Sequence, residues 1–157
     1  MSLAGRHVLS IDQFTRSQLE KILEVARILE PVARRKYRCD VLNGAVMANL
    51  FFEASTRTRI SFHTAFSRLG GSVCDTTGFT FSSLSKGESL EDTARVISGY
   101  ADAIVMRHPE TGSVAQFAKG IRMPVINAGD GTGEHPSQAL LDYYTIDSEF
   151  RRLGKSI

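Results

Sequence analysis

An α/β fold, a doubly wound parallel β-sheet with helices on both faces, is predicted by three features of this 157-residue sequence. Short, nearly continuous apolar runs at 45–52, 103–106 and 124–127 read as strands covered on both sides. Segments with helical spacing of apolar residues separate the strands, so the order is β-α-β-α-β-α-β. Polar clusters then recur where strands end, at 55–58, at Arg107 and at 135–138. That is the edge at which open parallel sheets bind ligands.

The elements follow in chain order. Asp12 or Thr15 starts a first helix whose inner face is Leu19, Ile22, Leu23, Ala26 and Leu29, with Pro31 near its end. The basic cluster Arg34, Arg35, Lys36 and Arg38 follows and reads as a solvated surface. A strand spans 45–52, interrupted only by Asn49. Phe62, Ala65, Phe66 and Leu69 then form one apolar helical stripe, stopped by Gly70-Gly71. A short strand occupies 72–75.

The stretch 76–89 is rich in Ser, Thr and Gly and has neither periodicity. A loop of this length is either functional or flexible, and its Ser83-Leu84-Ser85-Lys86-Gly87-Glu88 fits both readings. Ser89 caps the next helix, with Leu90, Ala94, Ile97 and Val96 as candidates for its inner face and Gly99 near its end. The buried strand 103–106 delivers Arg107-His108-Pro109. A short helix at 113–118 leads to the strand 124–127, which empties into the glycine-rich run 128–136. Those glycines permit positive φ and close approach of backbone to a ligand. A last helix begins near Pro136-Ser137 and carries Gln138, Leu140, Leu141 and Tyr144.

The centre of the chain's chemistry is 51–62, Phe-Phe-Glu-Ala-Ser-Thr-Arg-Thr-Arg-Ile-Ser-Phe. A helix opens with about four backbone N–H groups that lack intrahelical acceptors. The macrodipole adds roughly half a positive charge there. Ser55, Thr56, Arg57 and Thr58 crowd the same end with hydroxyls and a guanidinium, a set suited to a multivalent oxyanion, above all phosphate. Capping by Ser55 or Thr56 alone leaves Arg57 and Thr58 without a reason, although capping and anion binding are compatible.

Composition bounds the remaining possibilities. The length is that of one ordinary domain, and 42% hydrophobic with 23% charged residues is typical of a soluble globular protein. A net charge of +2 argues for neither nucleic acid nor membrane as partner, so any anion preference must come from local placement. Cys39 and Cys74 lack metal-ligand spacing and read as buried or incidental thiols, in keeping with a reducing, cytoplasmic setting. No run is long and apolar enough to span a membrane, and residues 1–6 lack the hydrophobic core of a signal peptide.

Four stretches together resemble the carbamoyl-phosphate domain of the aspartate carbamoyltransferase family. They are 51–62 as written above, Ser-Leu-Ser-Lys-Gly-Glu-Ser-Leu (83–90), Met-Arg-His-Pro (106–109) and Asn-Ala-Gly-Asp-Gly-Thr-Gly-Glu-His-Pro-Ser-Gln-Ala-Leu-Leu-Asp (127–142). Their order and spacing agree with the family over nearly the whole chain. The Ser-Thr-Arg-Thr-Arg turn is shared with the ornithine enzyme, and the Ser-x-x-Lys-Gly-Glu loop favours aspartate.

The resemblance implies a role for each matching residue. Ser55, Thr56, Arg57 and Thr58 bind the phosphate of carbamoyl phosphate, and Arg107 reaches both phosphate and carbonyl oxygen. His135 and Thr58 polarise the carbonyl, which makes Arg57, Thr58, Arg107 and His135 the expected catalytic set. Gln138 meets the carbamoyl amide. Ser83 and Lys86 enter the neighbouring subunit's site in a homotrimer, and Glu53 braces this domain against a second one. Regulatory or fused partners remain open. The chemistry itself requires no metal, cofactor or covalent intermediate. An amine attacks the carbamoyl carbon, charge grows on the carbonyl oxygen and phosphate leaves. Preorganised donors at that oxygen, each worth on the order of 10²–10³ in rate, carry such a reaction.

The resemblance further implies that residues 1–150 form the carbamoyl-phosphate-binding domain and that 151–157 begin a linker to an aspartate-binding domain. The chain alone is then expected to bind carbamoyl phosphate or phosphate weakly and to turn over little. Two other readings stand beside this one: the same half of an ornithine-type transcarbamoylase, and a non-catalytic, anion-binding oligomerising module.

Overall fold

The computed structural model describes residues 3–77 and 87–155. The candidate residues Ser83 and Lys86 lie outside them. A 3-10 turn at Ile11–Gln13, boxed by Ser10 and Gln13, precedes helix α1 (Arg16–Ala33). Of the two candidate starts Thr15 is the cap: it accepts from the Gln18 amide while the Gln18 side chain returns to the Thr15 amide. Then follow β1 (Val46–Phe51), α2 (Thr56–Arg68), β2 (Ser72–Thr77), α3 (Leu90–Ser98), β3 (Ala103–His108), α4 (Ser113–Ala118), β4 (Val125–Asp130) and α5 (Pro136–Arg152).

Among the described residues the strands form one sheet of order β2-β1-β3-β4, with every pairing parallel. Side chains alternate across it. Ala48, Leu50, Phe52, Ile104, Met106 and Val125 face α3 and α4, where Ala94, Val114 and Phe117 are fully buried. Met47, Phe51, Val105 and Ala128 face the other way, against Phe62 and Phe66 of α2. Helices thus cover both faces, as the apolar strands predict.

Asn49 interrupts β1 for a structural reason. It is fully buried, and its amide donates to Asp75 Oδ1 on β2 (2.6 Å) and to the Arg59 carbonyl on α2 (3.3 Å). Val8 extends the far edge by pairing with Ile126, which shields β4 from stray strand pairing.

Several expectations are corrected in detail. In α1 only Leu23 is buried, because the helix lies at the periphery: Leu19, Ile22, Ala26 and Leu29 are half covered, and Val25 and Ile28 are exposed. Pro31 does sit near the helix's end, which comes at Ala33, and its carbonyl accepts from Lys36 N there. Val96 faces solvent rather than the core. Cys74 on β2 is exposed, which leaves the incidental of its two readings. The strands β3 and β4 run farther than their apolar runs, since Arg107, His108 and Asp130 keep up the ladder while turning polar.

Candidate active site

The chain passes from β1 to β2 on one side and crosses back to β3 on the other. The crevice at such a reversal, beyond the carboxyl ends of β1 and β3, is where open α/β sheets take ligands. Phe51 is in register with Arg107, and the Phe52 amide donates to the Arg107 carbonyl at 2.9 Å. The turn 52–55 and Arg107 are therefore neighbours at this crevice.

Ser55 is the N-cap of α2, yet its side chain makes no capping hydrogen bond, and the first turn has no acidic residue. His135, the N-cap of α5, makes none either, and Pro136 follows it without an N–H of its own. By contrast α1 and α3 are capped by Thr15 and Ser89. The helices that open beyond β1 and β4 therefore offer amides and partial positive charge that their N-cap side chains do not neutralise. Arg57 and Thr56 are exposed there, while Ser55 and Thr58 are half-buried.

Arg107 is held from two sides. Its Nε donates to Glu53 Oε2 at 2.8 Å, and its Nη1 donates to the Ala128 carbonyl at 3.1 Å. The guanidinium lies against Gly129, where a Cβ would meet Nη1 at 2.7 Å and His135 Cδ2 at 3.4 Å. Gly129 has φ of 115°, so only glycine meets both the conformational and the spatial demand. Arg107 and His135 therefore share one locus. Burial lowers the His135 pKa from the ordinary histidine value, and the nearby Arg107 charge lowers it further, both favouring the neutral ring. Its Nδ1 lies 3.2 Å from Ser137 Oγ.

Gln138 is exposed at the start of α5, where its side-chain amide donates to Asp142 Oδ1 at 2.9 Å. Arg59 sits 4.0 Å from Asp75, an acidic partner within the fold. Among the described residues no group of three or more His, Cys, Asp or Glu has the arrangement of a metal site. No helix in them is long and apolar enough to cross a membrane.

Sequence reasoning missed the residues that shape the glycine-rich exit of β4. Asn127 is buried; its Oδ1 accepts from the Gly129 amide (2.8 Å), and its Nδ2 donates to the Leu9 carbonyl (3.1 Å). Asp130 is buried beside it. A polar residue on each side of a glycine at the end of an apolar strand was the available signal.

A model of the family described as "Aspartate/ornithine carbamoyltransferase, carbamoyl-P binding domain" matches residues 6–148. The aspartate carbamoyltransferase catalytic subunit of Dichelobacter nodosus is 76% identical over all of this chain, which covers 45% of that protein. The corresponding subunit of Archaeoglobus fulgidus is 52% identical over 94% of the chain and 50% of its own length. Among solved structures, Trypanosoma cruzi aspartate transcarbamoylase in complex with carbamoyl phosphate and aspartate superposes with a TM-score of 0.87. It is 40% identical over 94% of this chain and 46% of its own. The catalytic subunit of the M. Jannaschii enzyme gives 0.85 at 46% identity, over 96% and 48% respectively. This chain spans about half the length of the relatives it matches. With the parallel sheet, the bare opening of α2 and the Arg107–His135 locus in place, the match assigns the family: the chain belongs to the aspartate/ornithine carbamoyltransferases, in their carbamoyl-P binding domain.

Proposed function

We propose that this chain is the carbamoyl-phosphate-binding half of an aspartate carbamoyltransferase, which moves the carbamoyl group from carbamoyl phosphate to the amino group of L-aspartate. The observation that carries the proposal is the pair of N-termini at α2 and α5, neither capped by its N-cap side chain, with Arg107 and His135 at the same strand exits. The names of the relatives described above support aspartate over ornithine as the acceptor class.

In this reading the first-turn amides of α2, with Ser55, Thr56, Arg57 and Thr58, hold the phosphate. Arg107 keeps N–H groups beyond the two engaged by Glu53 and Ala128, and these reach the phosphate and the carbonyl oxygen. Thr58 and the neutral His135 ring donate to that oxygen as the amine attacks, with Ser137 fixing the tautomer by donating to Nδ1. Gln138 leaves Asp142 to meet the carbamoyl amide. The C–O bond to phosphate breaks, phosphate departs with the bonding pair, and its oxygen takes up the proton that the attacking nitrogen loses. Donors of this kind are effective because they are aimed before charge develops.

The same proposal makes residues 1–150 the binding domain and 151–157 the lead into an aspartate-binding domain against which Glu53 braces. It also places Ser83 and Lys86 in the neighbouring site of a cytoplasmic homotrimer. Mixing this chain with a separately produced aspartate-binding half tests the assignment. Carbamoyl aspartate should form only in the mixture and not with ornithine; no complementation would leave the non-catalytic oligomerising module instead. Sedimentation at micromolar protein tests the assembly, with a clean monomer counting against the trimer.

A further inference from the structure

Two loops carry the candidate chemistry. One leaves β3 after Arg107 and His108; the other leaves β4 and ends at His135. Asp130 lies between them and is 5% exposed. Its Oδ2 accepts from the Gly112 amide at 2.9 Å, in the loop after β3, and its Oδ1 accepts from the Glu134 amide at 2.8 Å, in the loop after β4. The backbone reinforces the junction: Gly131 N donates to the His108 carbonyl at 2.9 Å, and Thr111 Oγ1 donates to the Asp130 carbonyl at 3.3 Å.

The surrounding glycines show how closely the loops are drawn in. A Cβ on Gly131 would meet the Pro109 carbonyl oxygen at 2.5 Å, and one on Gly133 would meet Asp130 Oδ1 at 2.7 Å. Neither distance is tolerable for a real Cβ. A single carboxylate therefore closes a junction that the Gly-Asp-Gly-Thr-Gly sequence leaves room for and nothing bulkier could enter. The Glu134 amide is one residue from His135, and the Arg107 guanidinium rests on Gly129, one residue before Asp130.

We infer that Asp130 is a positioning residue of the site: by bonding one backbone amide in each loop, its carboxylate fixes the His135 ring against Arg107. The inference rests on the proposed carbamoyl-phosphate reading for its ligand, but not for its geometry. A charged acceptor suits the task because hydrogen bonds to an ionised group are about twice as strong as neutral ones. An asparagine of the same shape has one acceptor oxygen and turns an amide donor toward the second backbone N–H.

The test compares wild type, Asp130→Asn and Asp130→Ala with Asp147→Asn, which alters the other buried aspartate away from the site. Two readouts are made: phosphate affinity by calorimetry and His135 ring titration by NMR. The Asp130 variants should bind inorganic phosphate about tenfold more weakly, in line with the loss of one charged hydrogen bond, and should titrate His135 closer to an ordinary histidine. Asp147→Asn should change neither while lowering the unfolding midpoint. Wild-type phosphate affinity together with an unmoved His135 titration in folded Asp130 variants overturns the inference.

Should wild type bind no phosphate, the functional reading fails alone and the His135 titration still decides the role of Asp130. Should both Asp130 variants unfold, amide exchange in wild type decides: slow exchange at both Gly112 and Glu134 supports the tie, and unprotected exchange at either overturns it.

Discussion

Arg57 sits in the first turn of α2, exposed at an N-terminus where the Ser55 side chain makes no cap. In the proposed function its guanidinium grips an oxyanion in bidentate fashion. A hydrogen bond to a charged group contributes about 1.5–3 kcal/mol, so Arg57→Ala should weaken phosphate binding by roughly ten- to a hundredfold, and Ser55→Ala by less. Calorimetric titration with phosphate ranks the two. Gly129 makes a sharper case, because alanine there meets both an unfavourable φ and the Arg107 guanidinium. Gly129→Ala should lose about 1–3 kcal/mol of stability from backbone strain, and phosphate affinity should fall with it as Arg107 is displaced. Urea unfolding and calorimetry on one preparation check both effects. The cluster at 55–58 was legible in the sequence because its residues are contiguous. The Glu53–Arg107 pair and the Asp130 tie were not, since each joins segments whose proximity only the sheet order creates.

The two histidines beside the site also make a prediction at this scale. Burial is the main cause that lowers the pKa of both His108 and His135, and Arg107 adds to it at His135. A group whose folded pKa lies below its unfolded value of about 6.5 binds more protons when unfolded. Stability should be full above pH of about 6.5 and decline as pH falls through the folded values. Urea midpoints should hold from about pH 7.5 to about 6.5 and fall between about 6.5 and about 5.5. A midpoint that rises on acidification contradicts the assignment.

At the scale of elements, helix ends divide by purpose. Thr15 and Ser89 close α1 and α3 with their own side chains, while α2 and α5 present open ends to the crevice. The basic residues Arg34, Arg35, Lys36 and Arg38 lie exposed past the carboxyl end of α1, and Arg68 donates to the Ala33 carbonyl there. Cations at a helix C-terminus complement the dipole, which accounts for the cluster without a ligand. The helical periods, the Gly70 stop and the Ser89 cap were readable because each is set by local chemistry. Strand ends were less so, because polar exit residues continue a ladder held by their neighbours.

The outer helices are latched by one carboxylate. Asp147 of α5 is buried and accepts from both Arg27 of α1 and Arg151, at 2.8 Å from Arg151 Nε. Bonding to Arg151 and Arg27 lowers its pKa. Asp147→Ala should cost about 1–2 kcal/mol in urea unfolding, an amount discounted for the exposure of Arg151, while leaving phosphate affinity unchanged. A parallel loss of phosphate binding would mean that α1 and α5 couple to the site after all.

For the whole molecule, the sheet order concentrates function at one edge. β1, β3 and β4 discharge Ser55, Arg107 and His135 toward the same crevice, and the relatives matched by this chain are about twice as long. In the proposed function, a chain that holds one substrate through backbone amides and fixed cations works against a second domain that brings the other. The most direct test is a crystal structure of this chain grown in carbamoyl phosphate or abundant orthophosphate. A phosphate seated on the first-turn amides of α2, with Arg57 and Arg107 turned onto its oxygens, is the expected result. An empty α2 N-terminus with Arg57 directed elsewhere, at saturating ligand, would contradict the account.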